Sequence, residues 1–487
     1  MMIRKTALIS AAILTLFFQS AIARKSLTLD EAIETGMENS PLIMHYRYNL
    51  KRSRASLSAA RARLKSKFSL SVTPVSYTEN LNFNDQFSEW YRNETTEHSG
   101  IFRIEQPIKW TDGTISLINR LSWRESYSSF TEITDESYTN DFYISLAQPL
   151  FTYNRTKLDL EELELDLENT RLQYLIQKLS LEMQITEGFY NLYKIKKSLE
   201  IAVEDRDIKQ ESYDIMKNKV EAGLSKREDL YQAELSLANS ELTLKNEQVN
   251  LENALDNFKK LLGIPVRDEI SISADISYDP VEVDLKKAIE HGLSNRMELE
   301  QARIDIQNAR NAIIETGARN EFYGNLELSY GSIGQDEKFA DIYQQPEKSQ
   351  QLRLSFEVPL WDWGEKESML EASRTTLKSR QLDLESTRED IMIEIRQTHR
   401  QIRNQMVRIE IADKNVKNSQ LTYEINLERY RNGDLTTKDL NYYQNQLAQE
   451  KNSRVSALIQ YKLYLLEMKI KSLWDFENGI SVIQEIE

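Results

Sequence analysis

Two stretches of this chain, residues 150–264 and 360–487, contain none of its eight prolines, and that absence constrains the fold more than any other feature. Each stretch follows a Pro-Leu-aromatic step, Pro149-Leu150-Phe151 or Pro359-Leu360-Trp361, and runs on to a turn glycine, Gly223 or Gly433. Around those glycines Tyr213-Asp214-Ile215, Gly223-Leu224-Ser225 and Asp229-Leu230 match Tyr423-Glu424-Ile425, Gly433-Asp434-Leu435 and Asp439-Leu440, all at an offset of 210 residues. A fixed offset held across many positions marks an internal duplication.

The proline-free stretches read as long helices. Residues 153–221 would span about 100 Å as one helix. Leu158, Leu165, Leu172 and Leu179 keep heptad spacing, which makes the apolar stripe a coiled-coil seam. A return helix over 225–262 ends at Gly263, with Pro265 close behind, a strong stop signal. A leading helix over 27–66 breaks at Pro41. Its counterpart lies at 283–320, where Ala288-Ile289-Glu290 and Gly292 repeat Ala32-Ile33-Glu34 and Gly36 at an offset of 256. The first half therefore carries 46 extra residues between its leading helix and Pro149.

Between leading and long helices the apolar period falls from helical to two. Leu352, Leu354, Phe356, Val358 and Leu360 alternate with Arg353, Ser355 and Glu357. Residues 68–77, 102–110, 115–123, 142–148 and 322–330 behave likewise, with Trp90, Tyr91, Trp110, Trp123, Trp361 and Trp363 near their ends. Alternation alone fits the inner face of a soluble sandwich or the lipid face of an outer-membrane barrel. The barrel is favoured by the strand lengths, by the lack of other apolar elements to cover a sandwich, and by the N-terminus. There, Arg4 and Lys5 precede an apolar run from Ala7 to Phe18 and a small-x-small step at Ala21-Ile22-Ala23, the pattern of a signal peptide over 1–23. One chain offers four clear strands, or six if the extra residues add a hairpin. A single-chain barrel needs about eight, and an open edge cannot sit in lipid. Several copies must therefore close the wall.

Composition removes other classes. No mature stretch approaches twenty apolar residues, so no helix spans a membrane. The formal charge of −15 argues against nucleic acid as a partner. Cysteine is absent, which excludes disulfides and thiolate metal sites. His45, His98, His291 and His399 are scattered without ligand spacing, and there is no phosphate loop or nucleophile motif. No catalytic, cofactor or metal site is expected, and the chain reads as no enzyme.

Leu27-Thr28-Leu29-Asp30-Glu31-Ala32, Gly223-Leu224-Ser225, Leu261-Leu262-Gly263-Ile264-Pro265 and Pro359-Leu360-Trp361-Asp362-Trp363-Gly364, in this order and on two strand-plus-helix halves, resemble the TolC family of outer-membrane efflux channels. The resemblance covers nearly the whole mature chain. It implies a mainly α fold with a membrane β-barrel portion: a twelve-stranded barrel shared between three chains, continued by a twelve-helix coiled-coil α-barrel across the periplasm. It implies a homotrimer in outer-membrane lipid, serving efflux or one-step secretion with a periplasmic adaptor and an inner-membrane pump. The implied periplasmic gate residues are Asp229, Asp439 and Tyr430, and the implied adaptor-docking residues are Gly223, Leu224 and Gly433. The family's second acidic ring position falls on Tyr442 and its gate arginine on Leu435, leaving Lys226, Arg227 or Arg431 as substitutes. Asp229 and Asp439 also suit the first turns of the return helices for electrostatic reasons alone. A non-conducting envelope scaffold or adhesin is the other reading. The expected organisation is a first repeat over 24–265, a connector over 266–282, a second repeat over 283–474 and a tail over 475–487.

Overall fold

A computed structural model describes residues 25–274 and 276–482; the expected signal peptide lies outside the described residues, as do 483–487 of the tail. A short strand β1 (Lys25–Leu27) leads into helices α1 (Leu29–Asn39) and α2 (Pro41–Arg63). Four strands follow: β2 (Lys67–Asn84), β3 (Glu89–Ile108), β4 (Gly113–Ser128) and β5 (Ile133–Leu150). Next come α3 (Arg155–Glu221) and α4 (Arg227–Leu262), then β6 (Ile270–Ile272), which pairs in parallel with β1. The second half runs α5 (Leu285–Asn295), α6 (Met297–Gly317), β7 (Tyr323–Asp336), β8 (Glu347–Glu357), α7 (Glu365–Asn432) and α8 (Thr437–Ser472). It closes on a small ribbon of β9 (Trp474–Asp475) and β10 (Ile480–Ser481).

The chain divides into two compact units. One comprises the described residues up to Tyr48, Leu172–Glu300 and those from Glu385 onward. Its core joins Leu27 and Ala32 to Leu181, Ile185 and Phe189 of α3 and to Phe258 and Leu262 of α4. The duplication is written into this packing. A Cβ on Gly36 would lie 2.3 Å from Ile185 Cδ1, and one on Gly292 would lie 2.6 Å from Ile395 Cδ1, so α1 meets α3 as α5 meets α7. A methyl group at either crossing would press on the end of the facing isoleucine, which would have to turn aside.

The break in the leading helix is present in both halves. In the first, Ser40 leaves the helical region just before Pro41. In the second there is no proline. Arg296 takes the same extended backbone, and its guanidinium is held by Glu298 at 2.7 Å and Glu394 at 3.2 Å. Burial works against the Arg296 charge, but hydrogen bonds and charge from both carboxylates outweigh it and hold its pKa above the usual value.

The other unit, Asn49–Arg171 and Gln301–Leu384, contains one sheet with all six long strands in the order β2-β3-β4-β5-β7-β8. Every neighbouring pair is antiparallel. The strands run further than the alternation of apolar residues indicates. Beyond Trp123, for instance, β4 stays paired through polar Arg124, Glu125 and Ser126, because backbone hydrogen bonds continue where apolar burial stops.

Candidate functional site: channel wall and helical tip

Residues paired directly across antiparallel strands share a face, so the register sorts the sheet into two sides. One side carries Phe68, Leu70 and Val72 of β2, Phe102 and Ile104 of β3, and Ile115, Leu117 and Leu121 of β4. Phe142, Ile144 and Leu146 of β5 continue the band, as do Leu326 and Leu328 of β7 and Leu352, Leu354 and Phe356 of β8. Phe68, Leu70 and Leu352 are 66%, 70% and 72% exposed, and among the described residues no second sheet of comparable size covers them. The sandwich reading is thereby excluded. Asn119 and Asn140 interrupt the band, but the Asn119 amide donates to Asn140 Oδ1 at 2.9 Å, so they pair with each other across the strands.

The opposite side is mostly polar, although Ile101, Ile118 and Tyr143 also lie on it. Arg120 Nη2 lies 2.6 Å from Glu97, Arg124 shares the same carboxylate at 3.5 Å, and Arg103 pairs with Glu105 at 3.3 Å. Such half-exposed pairs add little stability individually. Their meaning is that this face is built for water. From Ile115 to Trp123 the apolar band covers about 27 Å of strand, or about 21 Å of height at a barrel strand's tilt, close to the roughly 25 Å apolar belt of outer-membrane barrels. Aromatic rings collect at one edge of the band: Phe322 stacks on Phe356 at 5.6 Å, Phe151 lies 5.3 Å from Phe322, and Trp361 meets Trp363 edge-on at 5.6 Å.

The helical unit ends in two turns built alike. Gly223 and Gly433 take φ of +74° and +90°. The Leu224 N–H donates to the Lys219 carbonyl at 2.8 Å and the Asp434 N–H to the Arg429 carbonyl at 2.9 Å, so each long helix closes in a Schellman motif. Leu224 beside Gly223 is 78% exposed. Asp229 and Asp439 hold the same place, the third residue of α4 and of α8. Asp439 is engaged with the cap: Thr436 Oγ1 donates to its carboxylate at 2.7 Å while the Asp439 N–H donates back to Thr436 at 3.1 Å. Lys226 at the equivalent cap makes no such side-chain bond.

Tyr430 is fully buried, packed in the tip core with Met216, Tyr423 and Leu440. Its hydroxyl donates to the Ser212 carbonyl of α3 at 3.3 Å, and Lys219 donates to the Tyr430 carbonyl at 2.8 Å while sitting 5.1 Å above the ring. Burial pushes the Tyr430 hydroxyl pKa up and the Asp229 charge adds to it, against an opposing hydrogen bond with Thr437. Thus the tyrosine ties α7 to α3 within one chain. Leu435, where the resemblance places a gate arginine, packs on the same core, and Tyr442 is exposed. Of the basic candidates, Arg431 bridges helices, reaching Glu211 of α3 at 2.7 Å and Glu428 at 2.8 Å. Lys219 and Ser212 carried no motif in the sequence; only packing reveals them.

Residues 114–264 and 288–467, more than half of the chain, match the outer membrane efflux protein family. The chain belongs to that family. No curated protein matches at a significant level. The CmeC outer membrane channel of Campylobacter jejuni superposes with a TM-score of 0.70 at 13% identity, covering 94% of this chain and 89% of that one. VceC of Vibrio cholerae gives 0.65 at 13%, with 91% and 94% covered, and the open-state MtrE channel of Neisseria gonorrhoeae gives 0.65 at 12%, with 91% and 88% covered. At these identities the likeness establishes the shared fold: long coiled-coil helices joined to a β-barrel portion. As an outer membrane efflux protein the chain resides in the outer membrane.

Proposed function

We propose that three copies of this chain form a continuous duct, which receives substrate from an inner-membrane pump through a periplasmic adaptor and releases it outside. One observation carries the reading: a sheet apolar on one side, charged on the other, and unpaired at both edges. Lipid accepts the first face and a water-filled lumen needs the second. The edges require further copies.

The helices support the same assembly. Tyr231, Leu235, Leu242 and Val249 of α4 are each more than half exposed and recur at steps of four and seven. On α7, Val407 and Leu421 are spaced by fourteen residues, as are Ile411 and Ile425, and all four are at least half exposed. Two unmatched heptad stripes on different helices are the two sides of a repeating coiled-coil seam. An envelope scaffold would account for the stripes but not for the two-faced sheet.

At the tip, Asp229 and Asp439 repeat by duplication and then by symmetry into a ring of carboxylates, which draws cations and resists closure by self-repulsion. Tyr430 and Arg431 set its rest position by holding α7 to α3. Gly223, Leu224 and Gly433, the exposed apices, receive the adaptor. Detergent extraction of the outer membrane followed by sizing tests the duct: a trimer that co-purifies with an adaptor and pump is expected. A monomer in the soluble periplasmic fraction would refute it.

A further inference from the structure

Six strands per chain, rather than the four expected from the resemblance, change the wall itself. We propose that the barrel has eighteen strands, closed by β2 of each copy pairing with β8 of the next; this rests on the three-copy reading above.

Four observations converge. First, β2 and β8 are the sheet's two edges, and with six strands alternating in direction they run oppositely, so one copy's β8 continues the antiparallel order beside the next copy's β2. Second, the extra hairpin belongs to the wall. The family match begins at Thr114, where β4 starts, so β2 and β3 lie outside it, yet Ile104 pairs with Leu117 and Phe68 with Ile104, extending the apolar band without a step.

Third, the register already has the shear of a barrel. The row of paired residues from Lys67, the first of β2, passes through Glu105, Ser116, Ser145 and Ser329 to Gln351, six residues before the β8 end at Glu357. Six residues are about 20 Å along a strand and five inter-strand steps about 24 Å across. With the strand ends level this is a tilt of about 40°, inside the range for closed barrels. Fourth, the arcs agree. Six strands at that tilt occupy about 38 Å of circumference, and the four helices α2, α3, α6 and α7 that also enter this unit occupy about 32–40 Å at ordinary helix spacing. Eighteen strands give a backbone diameter of about 36 Å, against about 24 Å for twelve.

The absence of native cysteine makes disulfide mapping clean. Full-length chains would carry one cysteine at Ser69, Ser71 or Thr73 on the water-facing side of β2 and one at Gln351, Arg353 or Ser355 on the same side of β8. Oxidation in the membrane should convert at least one combination, for example Ser71→Cys with Arg353→Cys, into linked trimers on a denaturing gel. Pairing a β8 cysteine with Ser116→Cys or Ser122→Cys of β4 should give no link. A β4–β8 link in place of a β2–β8 link would put the extra hairpin outside a twelve-stranded wall and overturn the proposal while leaving the trimer intact. Absence of every link in a particle that sizes as a trimer would overturn it too. A monomer by sizing would instead sink the three-copy reading on which it stands. Strand counting in images of the extracted particle gives the same decision independently, eighteen supporting and twelve refuting.

Discussion

Gly223, Gly433 and Gly263 share almost the same backbone, with φ of +74°, +90° and +75°, but not the same surroundings. A Cβ added at Gly223 or Gly433 meets nothing within 4 Å, whereas one at Gly263 would lie 2.2 Å from the Asn39 carbonyl oxygen and 2.6 Å from its carbon. Alanine at either tip glycine therefore costs only the left-handed penalty, about 1–2 kcal/mol. The stiffer unfolded chain offsets part of that, leaving about 1 kcal/mol. Alanine at Gly263 adds the overpacking term of about 1–3 kcal/mol or more, because backbone rather than a flexible side chain must move. The expected totals are about 1 against about 2–4 kcal/mol. Hydrogen exchange on the extracted protein resolves the two. Gly223→Ala should speed exchange about fivefold at the bonded amides of the turn, notably Leu224, and leave the rest unchanged. Gly263→Ala should loosen the α1–α2 junction at Asn39 and Ser40 and lower the temperature at which the assembly dissociates. Equal effects at the three positions would refute the reasoning.

Other outcomes follow from the same geometry. Gly223→Trp should leave folding and trimer formation intact but impair export, since the added side chain projects from an open apex; normal drug tolerance would remove adaptor docking from this site. Asp439→Ala should weaken cation selectivity in planar bilayers and cost the α8 cap about 0.5–1 kcal/mol; unchanged selectivity would confine Asp439 to capping. Arg296→Met strands Glu298 and Glu394 and should destabilise by about 1–3 kcal/mol, discounted because Glu394 is partly in water, with Arg296→Lys recovering part of the loss in a thermal melt. Tyr190 has its pKa pushed up to about 12, by burial first and then by the charges of Glu477 and Asp30. Folding thus favours its neutral form, and the Tyr190 contribution to stability should be constant below pH 10 and be lost as pH rises from 10 towards 12. Ionisation of Tyr190 at an ordinary tyrosine pKa, seen by tyrosinate absorbance against Tyr190→Phe, would contradict this.

Much of the architecture was legible because it is periodic. Leu158, Leu165, Leu172 and Leu179 announce a seam, and the offset joining Gly223 to Gly433 announces a repeat. What escaped was whatever periodicity does not carry. The strands continue past the apolar band through residues such as Arg124 and Glu125, where no apolar alternation records them. The break at Arg296 lacks the proline that reveals Pro41, and the two carboxylates that hold the Arg296 side chain include one nearly a hundred residues away in sequence. At the tip, turn glycines and acidic residues stand out by sequence, while the contacts of Tyr430 with Ser212 and Lys219 arise only when α3 and α7 pack.

The unpaired rims of the sheet also bear on inheritance. In the proposed ring each rim is satisfied only by a neighbour, and the neighbour's other rim only by the third chain, so one faulty β8 would spoil the whole ring rather than a third of it. In a cell making sound and faulty chains equally, roughly one ring in eight would contain sound chains alone. Lesions at the rim should therefore act dominantly over an intact second copy of the gene, whereas lesions at the exposed apex of the tip, which leave assembly alone, should not poison their partners to the same degree.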